Sequence, residues 1–193
     1  YQVRCRATLG GNLCNASPAA DMIPALISLG AKVKIAGKNG DRFLSLEDFF
    51  AAPGRTSLRP EEILAGVQVP IPPEPTASHY IKHSIRKAMD LAIVGVAVTV
   101  SLDPAKGQCS EIKIALGAVG PIPLRASGAE NLLRGRKLDE KIISQAALLA
   151  SEAAQPITDI RASGEYRSEM IRVLTRRALQ QVRENLSGGK RPL

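Results

Sequence analysis

The residues best suited to bind a ligand lie in one stretch near the N-terminus, residues 8–21, with the sequence TLGGNLCNASPAAD. Its adjacent glycines, Gly10 and Gly11, allow positive φ angles and leave room for a ligand to approach the backbone. Ser17 is a favourable N-cap and Pro18 suits a first helical turn, so the pattern predicts a glycine turn leading into a helix N-terminus. Unpaired N–H groups and the positive end of a helix dipole at that position would favour a phosphate or another anion.

Asp21 ends this stretch and falls in the first turn of the predicted helix. Its carboxylate could complement the helix dipole, or it could accept a hydrogen bond from a ligand hydroxyl. A Gly–Gly pair between polar residues is also typical of an ordinary tight turn, so the pattern alone leaves both interpretations open.

The elements that must position this stretch follow from hydrophobic periodicity and from turn residues. They indicate a mixed α+β segment in the first part of the chain. In chain order they are a helix at residues 19–29 ending at Gly30, strands at 31–35 and 42–46 joined by a hairpin at 37–40, a helical turn at 47–50, and a strand at 63–69.

A proline run at residues 70–75, with four prolines in six residues, predicts an extended linker. We therefore expect a domain boundary near residue 75, with one domain at 1–75 and another at 76–193. The second domain should be an antiparallel sheet followed by helices, and the tail at 187–192 should be disordered. The predicted elements are three strands at 78–84, 91–102 and 109–119, then three helices at 125–133, 139–154 (capped by Asp139) and 165–186 (capped by Ser163).

Composition excludes several classes of protein. The net charge is +8, but the basic residues are interleaved with Glu and aromatic residues make up 3% of the chain, which argues against nucleic-acid binding. No apolar run is long enough for a membrane span. The odd number of cysteines without C-x-x-C spacing (Cys5, Cys14 and Cys109) supplies no local metal or iron–sulfur site, and we expect them to be buried thiols in a cytoplasmic protein. The chain lacks an initiator Met, which indicates processing or truncation.

Two other chemistries can be considered. His79 and His83 are four residues apart, a metal-binding spacing on a helix, but on the predicted strand they would be about 13 Å apart. Ser17 lies near glycines, yet the G-x-S-x-G elbow of a serine hydrolase is absent. We therefore predict surface histidines and no catalytic serine.

Basic residues near the C-terminus also have two interpretations. Arg161, Tyr166 and Arg167 could belong to a site, but a structural cluster at the start of the last helix is the preferred interpretation. The arginines later in that helix are expected to face solvent or another subunit; they are Arg172, Arg176, Arg177 and Arg183.

The stretch at 6–21 closely resembles the second flavin-binding segment of the FAD subunit of molybdenum hydroxylases, the xanthine dehydrogenase and carbon monoxide dehydrogenase medium-subunit family. The resemblance continues over nearly the whole chain, and it implies the second half of an FAD-binding α+β lobe followed by a C-terminal domain with a three-stranded antiparallel sheet and about three helices. The family's first glycine-rich segment has no counterpart here. The further matching segments are 48–64, 80–90, 115–126 and 156–167.

The resemblance also implies cofactor-binding residues. The glycine stretch would contact the FAD pyrophosphate and the adjoining ribityl region through Thr8, Leu9, Gly10, Gly11 and Asn12. Asp21 would accept a hydrogen bond from a cofactor hydroxyl. Leu64 would pack on the isoalloxazine edge, and Lys82 would lie by the polar end of the ring. No catalytic or metal-binding residue is implied. Leu91 stands where some relatives carry an aromatic residue over the ring.

Partners follow from the same resemblance. It implies a complex with a molybdenum-cofactor subunit and an iron–sulfur subunit, in which electrons pass through the iron–sulfur clusters to FAD and then to an acceptor such as NAD. It implies no nucleic-acid partner. The alternative is a flavin-free module that uses the same fold to hold subunits together. Because the first glycine-rich segment has no counterpart, we expect this chain alone to bind FAD weakly.

Overall fold

A computed structural model of the chain describes residues 5–86 and 88–188. The first part contains two short helices and five strands. They are α1 (Leu9–Cys14), α2 (Met22–Ser28), β1 (Lys32–Gly37), β2 (Gly40–Ser45), a 3₁₀ turn (Leu46–Phe49), β3 (Phe50–Ala52), β4 (Arg55–Thr56) and β5 (Ile63–Gln68). Three strands form an antiparallel sheet in the order β2-β1-β5, and β3 and β4 form a small hairpin. The predicted hairpin at residues 37–40 is confirmed, whereas the β3–β4 hairpin was not anticipated.

The predicted glycine turn is wrong, because Gly10 and Gly11 lie inside α1 and neither has a positive φ. Thr8 is the N-cap that allows this glycine-containing segment to be helical. Its backbone is extended, and its side-chain oxygen accepts a hydrogen bond from Gly11 N at 2.9 Å, which satisfies one of the unpaired donors of the first turn.

The helix predicted at residues 19–29 begins later, at Met22, and Ser17 does not cap it. The Ser17 hydroxyl instead accepts from Ala19 N at 3.4 Å, a local turn that competes with helix formation. Asp21 occupies the N-cap position but makes no side-chain capping bond. The predicted end is confirmed: Gly30 follows the helix with φ +72°, the left-handed conformation that favours glycine.

The second part contains four strands and three helices. They are β6 (Thr76–His83), β7 (Val94–Leu102), β8 (Cys109–Gly117), β9 (Leu124–Arg125), α3 (Ser127–Leu133), α4 (Glu140–Glu152) and α5 (Gly164–Ser187). All pairings are antiparallel in the order β6-β7-β8-β9, so the predicted sheet of three strands has four. The additional strand, β9, has only two residues, which are too few to give a period-two pattern in the sequence. It forms because the chain turns back after β8 and pairs with β8.

The caps predicted for two of the helices are confirmed. Asp139 accepts from Ile142 N and Ser163 accepts from Tyr166 N, which starts α4 and α5 where the sequence indicates. Of the tail predicted to be disordered at 187–192, Ser187 is instead the last residue of α5, and residues from 189 onward lie outside the described ranges. Between β5 and β6, residues 69–75 form no regular element, and the domain boundary near residue 75 stays a prediction.

The four-stranded sheet is the central layer of the molecule, because both of its faces are covered. One face packs against α3, α4 and α5, and the other carries Ala97 and Ala115 into the core of the first part. This explains why the strand β7 is buried at eight of its nine positions and has a nearly continuous apolar sequence.

Two glycines of this sheet leave room for the groups that pack on it, α2 at Gly117 and the Tyr80 ring at Gly95. Gly95 on β7 and Gly117 on β8 are direct cross-strand partners. A Cβ on Gly117 would lie 2.6 Å from Pro24 Cγ, and a Cβ on Gly95 would lie 3.1 Å from the Tyr80 hydroxyl. Larger residues here would push α2 and the Tyr80 ring off the sheet.

Two expectations drawn from the composition concern the cysteines and membrane-spanning helices. The prediction of three buried cysteines is wrong, since Cys5 and Cys14 are exposed and Cys109 is buried. Within residues 5–86 and 88–188, none of the helices combines the length and apolar character of a membrane span.

Candidate functional site

The helix α1 presents its glycines at the surface. Gly11 is exposed and Gly10 is half-buried, while Leu13 on the opposite side is fully buried and fixes the helix to the core. The Thr8 cap and the Leu13 anchor thus hold the predicted ligand-binding residues in a single conformation. A Cβ on Gly11 would lie 3.0 Å from the Thr8 oxygen, so an alanine there would disturb the cap as well as the exposed surface.

Asn12 carries an unsatisfied acceptor. Its Oδ1 atom is buried and has no hydrogen-bond partner among the described residues. A buried acceptor without a partner costs about 1–3 kcal/mol, so native structures usually provide one from protein, water or a ligand. The Asn12 amide oxygen, next to the glycine pair, is therefore an acceptor that a ligand donor could satisfy.

Leu64 lies beside the same helix. It is half-buried on β5 and packs against the core of the first part, and its Cδ2 atom lies 3.9 Å from the position of a Cβ on Gly10. The structure thus brings together two site residues that are far apart in the sequence, and it places the apolar Leu64 side chain next to Gly10 of α1.

Lys82 and Asp21 form a second group. Lys82 Nζ, on β6, donates to Asp21 Oδ2 at 2.7 Å and to the backbone oxygen of Asp90 at 2.7 Å. The Asp21 side chain is about half exposed (48%) and the Lys82 side chain is less so (25%). The carboxylate predicted to act in the first turn of a helix is therefore joined to a cation of the second part.

The segment that holds Lys82 is itself fixed by Asp90. The Asp90 carboxylate accepts from Arg86 N at 2.9 Å and from Leu91 N at 3.0 Å. These bonds, led by that of Arg86, lower the pKa of Asp90 below its usual range. Sequence reasoning gave Asp90 no site role, because its backbone oxygen makes the contact with Lys82.

Tyr80 adds to this group from the same strand. Its ring packs over Gly95, and burial raises the pKa of the hydroxyl to about 12, with the nearby Asp21 carboxylate adding to the shift. The hydroxyl therefore stays protonated at neutral pH and can only be a neutral neighbour of the ion pair.

A mostly apolar cavity of about 430 Å³ borders Leu91 and Ala92, the residues that follow Asp90. Pro18, Leu91, Pro121 and Ile157 line it, together with the ion pair of Arg161 and Asp159 at 3.3 Å. Sequence reasoning did not predict this cavity, because its walls come from five separate segments of the chain.

Arg167 lies at the wall of that cavity as a structural residue, in agreement with the preferred prediction. It is buried, and it donates to Ile93 O at 2.7 Å, to Ala118 O at 3.4 Å and to Asp159 Oδ1 at 2.7 Å. Hydrogen bonds from Arg161 N and from Arg167 lower the pKa of Asp159 to about 2. The cluster ties the start of α5 to the central sheet.

The histidines lie on a strand, as predicted. His79 and His83 are both in β6, and His83 Nε2 lies 3.1 Å from the Tyr166 hydroxyl. No group of three or more His, Cys, Asp or Glu side chains suited to a metal ion occurs in the described part of the chain.

Two family models match this chain. The family described as FAD binding domain in molybdopterin dehydrogenase matches residues 1–72, and the family described as CO dehydrogenase flavoprotein C-terminal domain matches residues 79–182. Together they agree with the resemblance seen in the sequence, including the expectation of FAD as the cofactor.

Individual relatives agree with these matches. The chain is 32% identical over 190 residues to the xanthine dehydrogenase FAD-binding subunit of Escherichia coli, covering 98% of this chain and 64% of the relative. It is 32% identical over 182 residues to the carbon monoxide dehydrogenase medium chain of Afipia carboxidovorans, covering 94% of this chain and 62% of the relative. The chain thus spans a little under two thirds of the length of these relatives.

The fold agrees as well. Reconstituted CO dehydrogenase from Oligotropha carboxidovorans contains a chain that superposes with a TM-score of 0.88 at 32% identity, over 94% of this chain and 63% of that chain. The same order of α+β elements and antiparallel sheets is therefore present in a solved relative. On these matches, the chain belongs to the family of FAD-binding medium subunits of molybdenum hydroxylases.

Proposed function

We propose that this chain forms one wall of an FAD site in an oxidoreductase complex of the molybdenum hydroxylase type. Within it, electrons would pass from iron–sulfur clusters through FAD to an acceptor. The relatives named as FAD-binding subunit and medium chain support the proposal. Bound FAD supplies the electron-transfer chemistry, and the residues of this chain bind and orient it.

The observation that carries the proposal is the unpaired Asn12 Oδ1 beside two glycines on an exposed helix surface. A flavin dinucleotide fits these features because its ribityl chain offers hydroxyl donors and its pyrophosphate needs close approach to the backbone. We propose that Thr8, Leu9 and the glycines supply this approach, and that Asn12 accepts from the cofactor.

Leu64 and the second group, Lys82 and Asp21, would act at the flavin ring. Leu64 offers an apolar surface beside Gly10, and Lys82 offers a cation held by two oxygens. A cation near the polar end of the ring favours its reduced, anionic form. Asp21 retains exposed oxygen surface with which to accept from a cofactor hydroxyl while it orients Lys82.

The 430 Å³ cavity supports a place for the acceptor. Its lining includes Leu91, directly after the residue whose backbone oxygen binds Lys82. Arg161 and Arg167 also line it together with Asp159, so two positive charges face one negative charge. An acceptor with an apolar body and an anionic group, such as NAD, suits these walls. We further propose that a molybdenum-cofactor subunit and an iron–sulfur subunit complete the assembly in the cytoplasm, with the exposed Cys5 and Cys14 kept reduced.

The test is a visible absorption spectrum of the protein purified from its native host, together with its metal content. We expect a flavin spectrum, released FAD, and co-purifying molybdenum and iron. A colourless assembly that retains the partner subunits would contradict flavin binding and would favour the flavin-free module. A flavin-containing monomer without metal would contradict the proposed partners.

A further inference from the structure

A basic surface lies at the end of the central sheet far from Lys82. We define it by four exposed residues, Arg134, Arg136, Lys137 and Lys141. β7 runs from Val94, the partner of His83, to Leu102, the partner of Cys109, so the two ends of the sheet are about 26 Å apart. The basic surface is therefore separate from the proposed flavin site.

The four positive charges on this surface outnumber the one carboxylate that lies among them, Asp139. Among the described residues, no carboxylate forms an ion pair with Arg136, Lys137 or Lys141. The two nearest acidic side chains are engaged elsewhere: Asp139 caps α4 through Ile142 N at 2.8 Å, and Glu140 accepts from Gln180 at 2.7 Å. The surface thus presents a cluster of cations to a partner.

The backbone of this surface is firmly positioned. Gly135 N donates to Cys109 O at 2.8 Å, and Cys109 N donates to Arg136 O at 2.9 Å, so the segment is joined to the first residue of β8. Gly135 has φ +74°, which lets the chain turn into this arrangement. An open cavity of about 330 Å³ lies between Arg136, Lys137 and Lys141, with Asp139 also on its lining, and its volume is enough for a carboxylate side chain to enter.

From these observations we infer that the basic surface docks a protein partner through a cluster of carboxylates on that partner. The described part of residues 102–145 contains no aromatic side chain on which nucleic-acid bases could stack. It also contains no exposed large apolar side chain that could insert into a membrane. A protein face rich in Asp and Glu is complementary to the positive charge of the basic surface and requires neither a stacking aromatic side chain nor an inserting apolar one.

The experiment uses the native assembly and a carbodiimide, which joins an amine to a carboxylate only where the two are in contact. Lys137 and Lys141 should be linked to Asp or Glu residues of a second chain, and raised salt during the reaction should reduce the yield because it screens the charges. Lys38, an exposed lysine of the β1–β2 turn, is the control and should give no such link. The absence of links from Lys137 and Lys141 would overturn the inference.

Charge reversal provides an independent test. The double variant Lys137→Glu, Lys141→Glu should raise the dissociation constant of the cross-linked partner about tenfold at low salt, and Lys38→Glu should leave it unchanged. Equal affinity for the double variant and the parent would contradict the inference. Binding of a DNA duplex or of phosphatidylserine vesicles that requires Lys137 and Lys141 at physiological salt would also overturn it in favour of those partners.

Discussion

Lys82 Nζ lies 2.7 Å from Asp21 Oδ2, so the first strand of the central sheet is joined to the residue that precedes α2. The two residues are 61 positions apart in sequence, and the bond spans the two parts of the chain. Because Lys82 also donates to the Asp90 backbone, its ammonium group is held by two oxygens in one position.

The Lys82→Met variant tests the electrostatic role of that position. It retains most of the apolar stem but removes the charge, so we expect the bound flavin to become harder to reduce, which a redox titration measures. Lys106→Met removes an exposed lysine from the turn between β7 and β8 and should leave the potential unchanged. An unaltered potential in the Lys82 variant would exclude Lys82 from the ring environment.

Gly117→Ala tests how α2 is placed. The new Cβ would lie 2.6 Å from Pro24 Cγ, on a ring that cannot rotate away, so we expect a loss of about 1–3 kcal/mol in the free energy of unfolding. The control is Gly66→Ala on β5, whose Cβ would be 4.0 Å from Lys34 Cβ, an ordinary contact. Urea denaturation compares the two, and equal stability would show that α2 adjusts freely.

The local elements of this fold could be predicted where one residue type determines them. The helix caps Asp139 and Ser163 act through side-chain oxygens three residues from their donors, and the Gly40 turn needs only its immediate neighbours. β7 was identified as a buried strand, because a strand covered on both faces needs apolar residues at every position.

Features that depend on distant residues could not be derived in this way. The helix α1 has six residues including two glycines, so local propensity opposes it, and it forms through the Thr8 cap and the burial of Leu13. The bond between Asp21 and Lys82 and the unpaired Asn12 oxygen need the folded chain. The family resemblance indicated Asp21, Lys82 and Asn12 as cofactor-binding residues, whereas composition and periodicity gave no reason to expect a contact between Asp21 and Lys82.

Acid stability should depend on Glu62. Its carboxylate accepts two hydrogen bonds from Arg42, at 2.8 and 2.7 Å, and one from Arg59 N at 2.9 Å. These bonds lower the pKa of Glu62 to about 2 from an ordinary value of 4.5. The contribution of Glu62 to stability is therefore present above about pH 4.5 and is lost as the pH falls through about 2.

The measurement is the urea midpoint at about pH 5 and about pH 3. The parent should lose stability between these values, and Glu62→Gln should lose less because it has no proton to bind. Glu61→Gln, at the exposed neighbouring position, should behave as the parent does. A parent-like dependence in the Glu62 variant would show that other groups, such as Asp159, account for the acid sensitivity.

Arg167→Met should be strongly destabilising. The side chain is 4% exposed and donates to two backbone oxygens and to Asp159, so the variant would remove three buried or partly buried hydrogen bonds, at a cost of about 2–4 kcal/mol. Arg172→Met, on the exposed face of the same helix, removes only a surface pair with Glu169 and should cost less than about 1 kcal/mol. Thermal unfolding of both variants makes the comparison, and similar losses would rule out a structural role specific to Arg167.

The central claim, that the exposed side of α1 binds FAD, is tested most directly by the FAD dissociation constants of Gly10→Ala and Gly128→Ala in the protein from its native host. Both glycines are second residues of short helices, and neither new Cβ would clash: the Cβ at residue 10 would lie 3.9 Å from Leu64 Cδ2, and the Cβ at residue 128 would have no neighbour within 4 Å. Both variants should therefore unfold at urea concentrations no lower than the parent. We predict that Gly10→Ala weakens FAD binding about tenfold or more, while Gly128→Ala leaves it unchanged. FAD binding as tight in Gly10→Ala as in the parent would contradict the claim.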